Sequence, residues 1–165
     1  MIKSKASKQK RENDISLGNY FERLLLKYLN EQPEYKGDQF SLSQYQYSIF
    51  DIKNSKITGE LKTRRVSHRR YPDTMIGQNK IVRAQNDDSG ILYRFYFIFT
   101  NGLYYWDFND EQYTTRKGGR TDRGRAEIKD YCFISVKFLK LITTDIKSIS
   151  QITDNAHSTS EIIIS

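Results

Sequence analysis

The segment from Leu92 to Phe108 constrains the fold of this chain more than any other. It packs Tyr93, Phe95, Tyr96, Phe97, Phe99, Tyr104, Tyr105, Trp106 and Phe108 into two runs separated by Asn101-Gly102. Aromatic and β-branched residues suit the pleated, half-buried surface of a sheet. Asn-Gly is the preferred pair for a two-residue type I′ turn. The pattern predicts a β-hairpin, Leu92–Thr100 with Leu103–Phe108, and therefore a core built on a sheet. Most of these rings read as core, with base-stacking platforms as the alternative. No RNP-type signature accompanies them, which disfavours an RNA-recognition fold.

Upstream, Phe21, Leu24, Leu25, Tyr28 and Leu29 fall on one stripe of a helix predicted from about Asn19 to Gln32. Pro33 and Gly37 end it. The residues before it, 1–14, are rich in Lys, Ser and Gln without an apolar period, and read as a disordered basic arm. Two further apolar runs, Gln46–Lys53 and Ile57–Arg64, read as a hairpin turning at Ser55-Lys56. In that register Asp51 faces Glu60, Ile49 faces Lys62 and Lys53 faces Thr58. The other face collects Phe50 opposite Leu61, with Ile52 and Ile57 beside them.

This hairpin carries the chemistry. Facing residues of an antiparallel pair have Cβ atoms about 4.5–5.5 Å apart, so Asp51 and Glu60 can share one hard divalent cation. Glu60 and Lys62 lie two residues apart and thus on one face. Carboxylates that hold a cation beside an ammonium can activate water against a phosphodiester. In that role Asp51, Glu60 and the Leu61 backbone carbonyl hold Mg²⁺, with Mn²⁺ able to substitute. Lys62 orients or deprotonates the attacking water and offsets charge developing on phosphorus. E-x-K alone is a weak pattern, and the chain has a second copy, Glu127-Ile128-Lys129, which reads as a solvated strand entrance. The alternative for the first copy is an exposed hairpin face with surface ion pairs. Facing acids would then repel each other with nothing to join them.

Phe50-Asp51 followed by Gly59-Glu60-Leu61-Lys62 resembles the core motif of the PD-(D/E)XK, or restriction-endonuclease-like, nuclease superfamily. The chain is most similar to its small phage, viral or archaeal members, including Holliday-junction resolvases. The resemblance spans the elements from about Tyr20 to Thr100; Phe50 stands where the motif has proline. It implies an α/β (α+β) fold with a central mixed β-sheet flanked by helices. It also implies Mg²⁺ as cofactor, a nucleic-acid partner, DNA before RNA, and homodimers as a common working form. Members often place a glutamate on the first helix, which points to Glu22; a solvated helix acid is the alternative. Members also carry a Gln or Lys on the helix after the motif strands. That points to Gln78 and Lys80, on a helix predicted from an Asp73 or Thr74 cap to about Asn86.

Charge agrees with a polyanionic partner. The chain has 27 Lys and Arg against 20 Asp and Glu, for a net charge of +7 and a pI near 9.4. Neutralisation of phosphates dominates nucleic-acid affinity. The run Arg64, Arg65, His68, Arg69 and Arg70 follows Lys62 directly, and guanidinium groups match phosphate geometry. Thr114–Arg125 adds Arg116, Lys117, Arg120, Arg123 and Arg125 among three glycines, and reads as a mobile loop that orders on nucleic acid. Tyr131–Ile142 reads as a last strand. His68 and His157 lack ligand spacing and read as surface residues. A single Cys132 excludes an intrachain disulfide and a cysteine-zinc site. No apolar run reaches membrane-spanning length, and no signal-peptide core is present. The expected location is therefore intracellular, whether cytoplasm, nucleoid, nucleus or a viral replication site. A chain of 165 residues suits one domain, taken as 15–150, before a polar tail at 151–165. The expected function is a Mg²⁺-dependent endonuclease cleaving DNA, with branched or junction DNA among its substrates. The alternative is a non-catalytic DNA- or RNA-binding protein on the same fold.

Overall fold

The computed structural model describes residues 5–44, 48–120 and 127–145. The first element is the helix α1, Lys5–Glu31. Its core stripe is the expected one, with Phe21, Leu24, Leu25 and Leu29 buried. It begins far upstream of Asn19, however, so the arm expected to be disordered is helical from Lys5 on. Helix-forming Lys, Gln, Arg and Glu populate that stretch. Spacings of four also pair Lys8 with Glu12 at 3.9 Å and Gln9 with Asn13 at 3.1 Å. A 3-10 turn at Pro33–Tyr35 follows, then the short strands β1 (Ser41–Leu42) and β2 (Ile52–Lys53) and the longer β3 (Ile57–Thr63).

Strand β4 (Asp73–Gly77) runs into α2 (Gln78–Gln85). The expected helix start at Asp73 or Thr74 is thus displaced. Thr74 and Ile76 alternate inward, a strand pattern, and Asp73 and Thr74 are paired elsewhere rather than capping. After α2 come β5 (Leu92–Phe99), β6 (Gly102–Asp107), β7 (Tyr113–Arg120), β8 (Glu127–Ser135) and, past a 3-10 turn at Val136–Phe138, β9 (Lys140–Thr143). The expected last strand is therefore two strands broken by that turn. Thr114–Arg120, expected to be loop, is strand β7, hydrogen-bonded along its length to β8. Arg123, Arg125, His157 and the 151–165 tail lie outside the described residues.

Six strands form one sheet in the order β1-β2-β3-β5-β6-β9, mixed because β3 and β5 are parallel. A parallel pair needs a crossover, and here β4 and α2 supply it. Strands β4, β8 and β7 form a second, antiparallel sheet. One face of the main sheet buries α1 against Ile52, Ile57, Leu61, Tyr96 and Leu103. The opposite face buries Phe95, Phe97, Phe99 and Trp106 against Ile81 and Ala84 of α2 and Cys132 and Ile134 of β8. The aromatic hairpin is core, as its density implied. Its turn sits one residue early, with Phe99 opposite Gly102. Asn101 and Gly102 both avoid positive φ, so the turn is not type I′. Partners shift by two, which leaves every side chain on its expected face.

The β2–β3 pair has the expected register: Ile52 faces Gly59 and Lys53 faces Thr58. It is far shorter than expected, because the chain bends through residues 49–51. The bend carries Phe50 away from Leu61 and Ile52 into the opposite core, 5.1 Å from the Tyr93 ring. Ile49 is exposed and does not face Lys62.

Candidate active site

Because β2 stops at the bend, the edge of β3 beyond Gly59 has no neighbouring strand among the described residues. The Asp51 amide still donates to the Gly59 carbonyl at 3.0 Å. One step further the backbone partner is replaced by a side chain: the Leu61 N–H donates to Asp51 Oδ2 at 2.7 Å. Strand alternation turns the Leu61 carbonyl toward the same open edge. Asp51, Leu61 and the inward-facing Glu60 therefore converge where the sheet is locally unfinished.

Glu60 is 2% exposed, among the most buried charged groups described. Lys62 Nζ donates to its Oε1, and Lys80 Nζ, from α2, to its Oε2 at 2.8 Å. Lys80 also stands 5.3 Å above the Phe50 ring, so the flipped phenylalanine forms part of its seat. Burial pushes the Asp51 carboxyl up to about 7, and the nearby Glu60 and Glu22 charges add to this while the Leu61 N–H opposes it. Glu22 on α1 is also raised, by burial first and then by Glu60, with Lys62 and Lys80 opposing. Three carboxyls and two ammonium groups thus share one field. Gln78 opens α2 in an exposed position, and it is Lys80 that reaches Glu60.

Among the described residues, no three His, Cys, Asp or Glu side chains form a ready metal cage. The donor chemistry nevertheless suits a hard cation. Magnesium commonly takes one or two carboxylates and keeps its waters, and an acid held near 7 by burial and neighbouring acids is relieved by positive charge.

A cleft of about 1020 Å³ opens beside the cluster, lined by Glu22, Lys62, Arg64, Arg65, Tyr71 and Arg116 among others. It separates the basic residues read from the sequence. Arg65 is exposed and pairs with Asp14 at 3.1 Å, and Arg116 pairs with Asp73 at 2.7 Å while covering the Phe133 ring at 3.7 Å. Arg69 and Arg70 are exposed, and Lys117 pairs with Asp130 at 3.1 Å on the surface of β7 and β8. His68 departs from the surface reading. Its ring stacks on Tyr104 at 4.0 Å and its Nε2 lies 3.2 Å from the Val136 carbonyl, so it fastens the loop after β3 to β6. Arg120 belongs to β7, but its side chain lies outside the described residues. Ile128, in the second E-x-K copy, is 60% exposed, in keeping with a solvated strand entrance.

Asp73 and Asp14, which hold two of the cleft arginines, carried no signal in the sequence; both pairings join elements distant along the chain. Among the described residues, no helix is long and apolar enough to cross a membrane. No curated protein matches the chain. The model of one family, described as "Phage putative PDDEXK endonuclease", matches residues 36–142, well over half of the chain and reaching into every strand of both sheets, and the chain belongs to that family.

Proposed function

We propose that this member is a Mg²⁺-dependent endonuclease that hydrolyses phosphodiester bonds of DNA, and that Mn²⁺ can substitute. The observation that carries the reading is Glu60: a buried carboxylate held between two lysines, one of which, Lys62, lines a cleft with Arg64, Arg65 and Arg116. Ionised groups are seldom buried so fully without a task. Asp51 and Glu60, with the Leu61 carbonyl and Glu22, would hold the cation. When bound it supplies polarisation of the scissile phosphate and a more acidic water.

The chain's own side chains do the remainder. Lys80 fixes the Glu60 carboxylate from one side. The Leu61 N–H fixes Asp51. Of the two lysines that touch Glu60, Lys62 lines the cleft. It is placed to donate to the attacking water and to offset negative charge on the phosphoryl oxygens as one P–O bond forms and another breaks. Arg65, Arg69, Arg70, Arg116 and Lys117 would guide the backbone, and Arg65 and Arg116 would exchange aspartate for phosphate.

A non-catalytic nucleic-acid binder is the second reading, favoured by one fact: both Glu60 oxygens are already taken by lysines. Incubating the protein with labelled junctions, flaps, duplexes, single strands and RNA in Mg²⁺, Mn²⁺ or EDTA separates the two. Cleavage in either metal, absent in EDTA and in Glu60→Gln, is expected. Binding to these substrates without cutting would give the site to the second reading.

A further inference from the structure

Among the described residues, Arg64 is a charge without a counter-ion. It lies just past β3, where its amide donates to the Ile98 carbonyl at 2.7 Å, extending the parallel pairing with β5. Arg64 is half-buried, its guanidinium 6.0 Å above the Phe97 ring. Nε donates to Thr74 Oγ1 at 3.0 Å and Nη2 to the Met75 carbonyl. Both acceptors are neutral. The other two cleft arginines, Arg65 and Arg116, each have an aspartate; among the described residues, no carboxylate stands within ion-pair distance of Arg64. Burial lowers its pKa to about 10, with no acid opposing the shift.

Withdrawing a cation from water without an anion beside it is costly. A neutral amide could tie β3 to β4 through the same two acceptors without that penalty. The guanidinium has five N–H groups, and its two bonds to β4 leave others beside the cleft that it lines. Position supplies the remaining constraint. Glu60, Lys62 and Arg64 alternate along one face, and two residues of strand advance about 6.7 Å, close to the separation of successive phosphates on one strand. An anion on Arg64 thus stands one linkage away from a phosphate held at Lys62.

We infer that Arg64 clamps the phosphate next to the scissile one, so that the substrate itself supplies the counter-ion that the described residues do not. This rests on the endonuclease reading for which phosphate is cut, but not for the existence of the anchor. The test places a single neutral methylphosphonate at each linkage around the cut in the best-cleaved DNA. Wild-type protein and Arg64→Gln are then compared. Neutralising the adjacent linkage should lower wild-type kcat/KM about 10- to 100-fold. Arg64→Gln should lose a similar factor on unmodified DNA and almost nothing more at that one linkage, while Lys62-dependent chemistry in saturating DNA is largely retained. The salt dependence of binding should also flatten by about one in slope. Losses that multiply at every linkage would overturn the assignment and leave Arg64 as a tie between strands. If Arg64→Gln fails to fold, Arg64→Lys keeps a charge without the fork, and its loss should still concentrate at the same linkage; an even loss across linkages would overturn the anchor. If the wild type cuts nothing in Mg²⁺ or Mn²⁺, the endonuclease reading falls by itself. The same comparison is then read in Kd, with the same two outcomes for Arg64.

Discussion

Replacing Asp51 by asparagine should stabilise the protein while ending cleavage. The amide would keep an oxygen for the Leu61 N–H, now at 2.7 Å from Asp51 Oδ2, and would remove the charge. An ordinary aspartate titrates near about 3.9; this one titrates at about 7 because burial and two neighbouring acids disfavour its ionised form. The folded state therefore holds a proton that the unfolded chain has lost over the window from about 4 to about 7, and wild-type stability falls as pH rises through it. At about 1.4 kcal/mol per pH unit, the substitution can gain at most about 1.5 kcal/mol at pH 5 and about 4 kcal/mol at pH 8. Relaxation of the lysines and entry of water recover part of this in the wild type, so half the ceiling is the working figure. With about 2–4 °C per kcal/mol for a chain of this size, Tm should rise by about 4–8 °C at pH 8 and by less than half of that at pH 5. Thermal melts in EDTA at the two pH values measure it, because EDTA keeps cations from masking the penalty. A Tm that is unchanged or lower at pH 8, or a gain that does not grow with pH, would refute the claim that Asp51 is held in an unfavourable ionised state.

Other substitutions follow from the same geometry. Lys80→Met leaves Glu60 with Lys62 as its remaining partner in a buried site; Tm should fall by an amount equal to about 1–3 kcal/mol, and cleavage by about 100-fold or more, read by melts and single-turnover rates. Gly59→Ala places a Cβ 2.9 Å from Ile52 Cγ1 and 3.0 Å from Tyr96 Cε2, directly beneath the site. It should cost about 1–3 kcal/mol in denaturant melts. Arg65→Ala breaks an exposed pair with Asp14, so stability should move by less than about 1 kcal/mol, while the salt slope of DNA binding falls by about one. His68→Ala should do the opposite, lowering Tm through loss of the Tyr104 stack and leaving the salt slope unchanged.

What could be read in the sequence was what depends on period and opposition. The α1 stripe, the aromatic strands and the register of β2 against β3 follow from local alternation, and the family match agrees with the fold they imply. What could not be read depends on partners far along the chain. Asp73-Thr74 looks like a helix cap in isolation, and becomes strand because β8 offers its backbone. Thr114–Arg120 looks like loop because its glycines weaken any strand considered alone, yet Gly118 leaves room for the Phe133 ring 3.1 Å from where a Cβ would stand. Arg64 and His68 share one basic run with Arg65 and Arg69, and nothing local separates the half-buried from the exposed.

The feature that joins fold to site is the early end of β2. A β2 strand continuing upstream of Asp51 would have covered the β3 edge with backbone and left its carbonyls no access to solvent or substrate. The bend removes that cover, sends Phe50 to the far side where it seats Lys80, and turns the Asp51 carboxylate into the acceptor that a missing strand would have supplied. Asp51 therefore has two duties, and the choice of substitution separates them. Alanine removes the charge and also orphans the Leu61 N–H, whereas asparagine removes the charge alone. A loss of cleavage shared by both variants, with loss of stability confined to alanine, would assign the chemistry to the carboxylate's charge and the architecture to its oxygen.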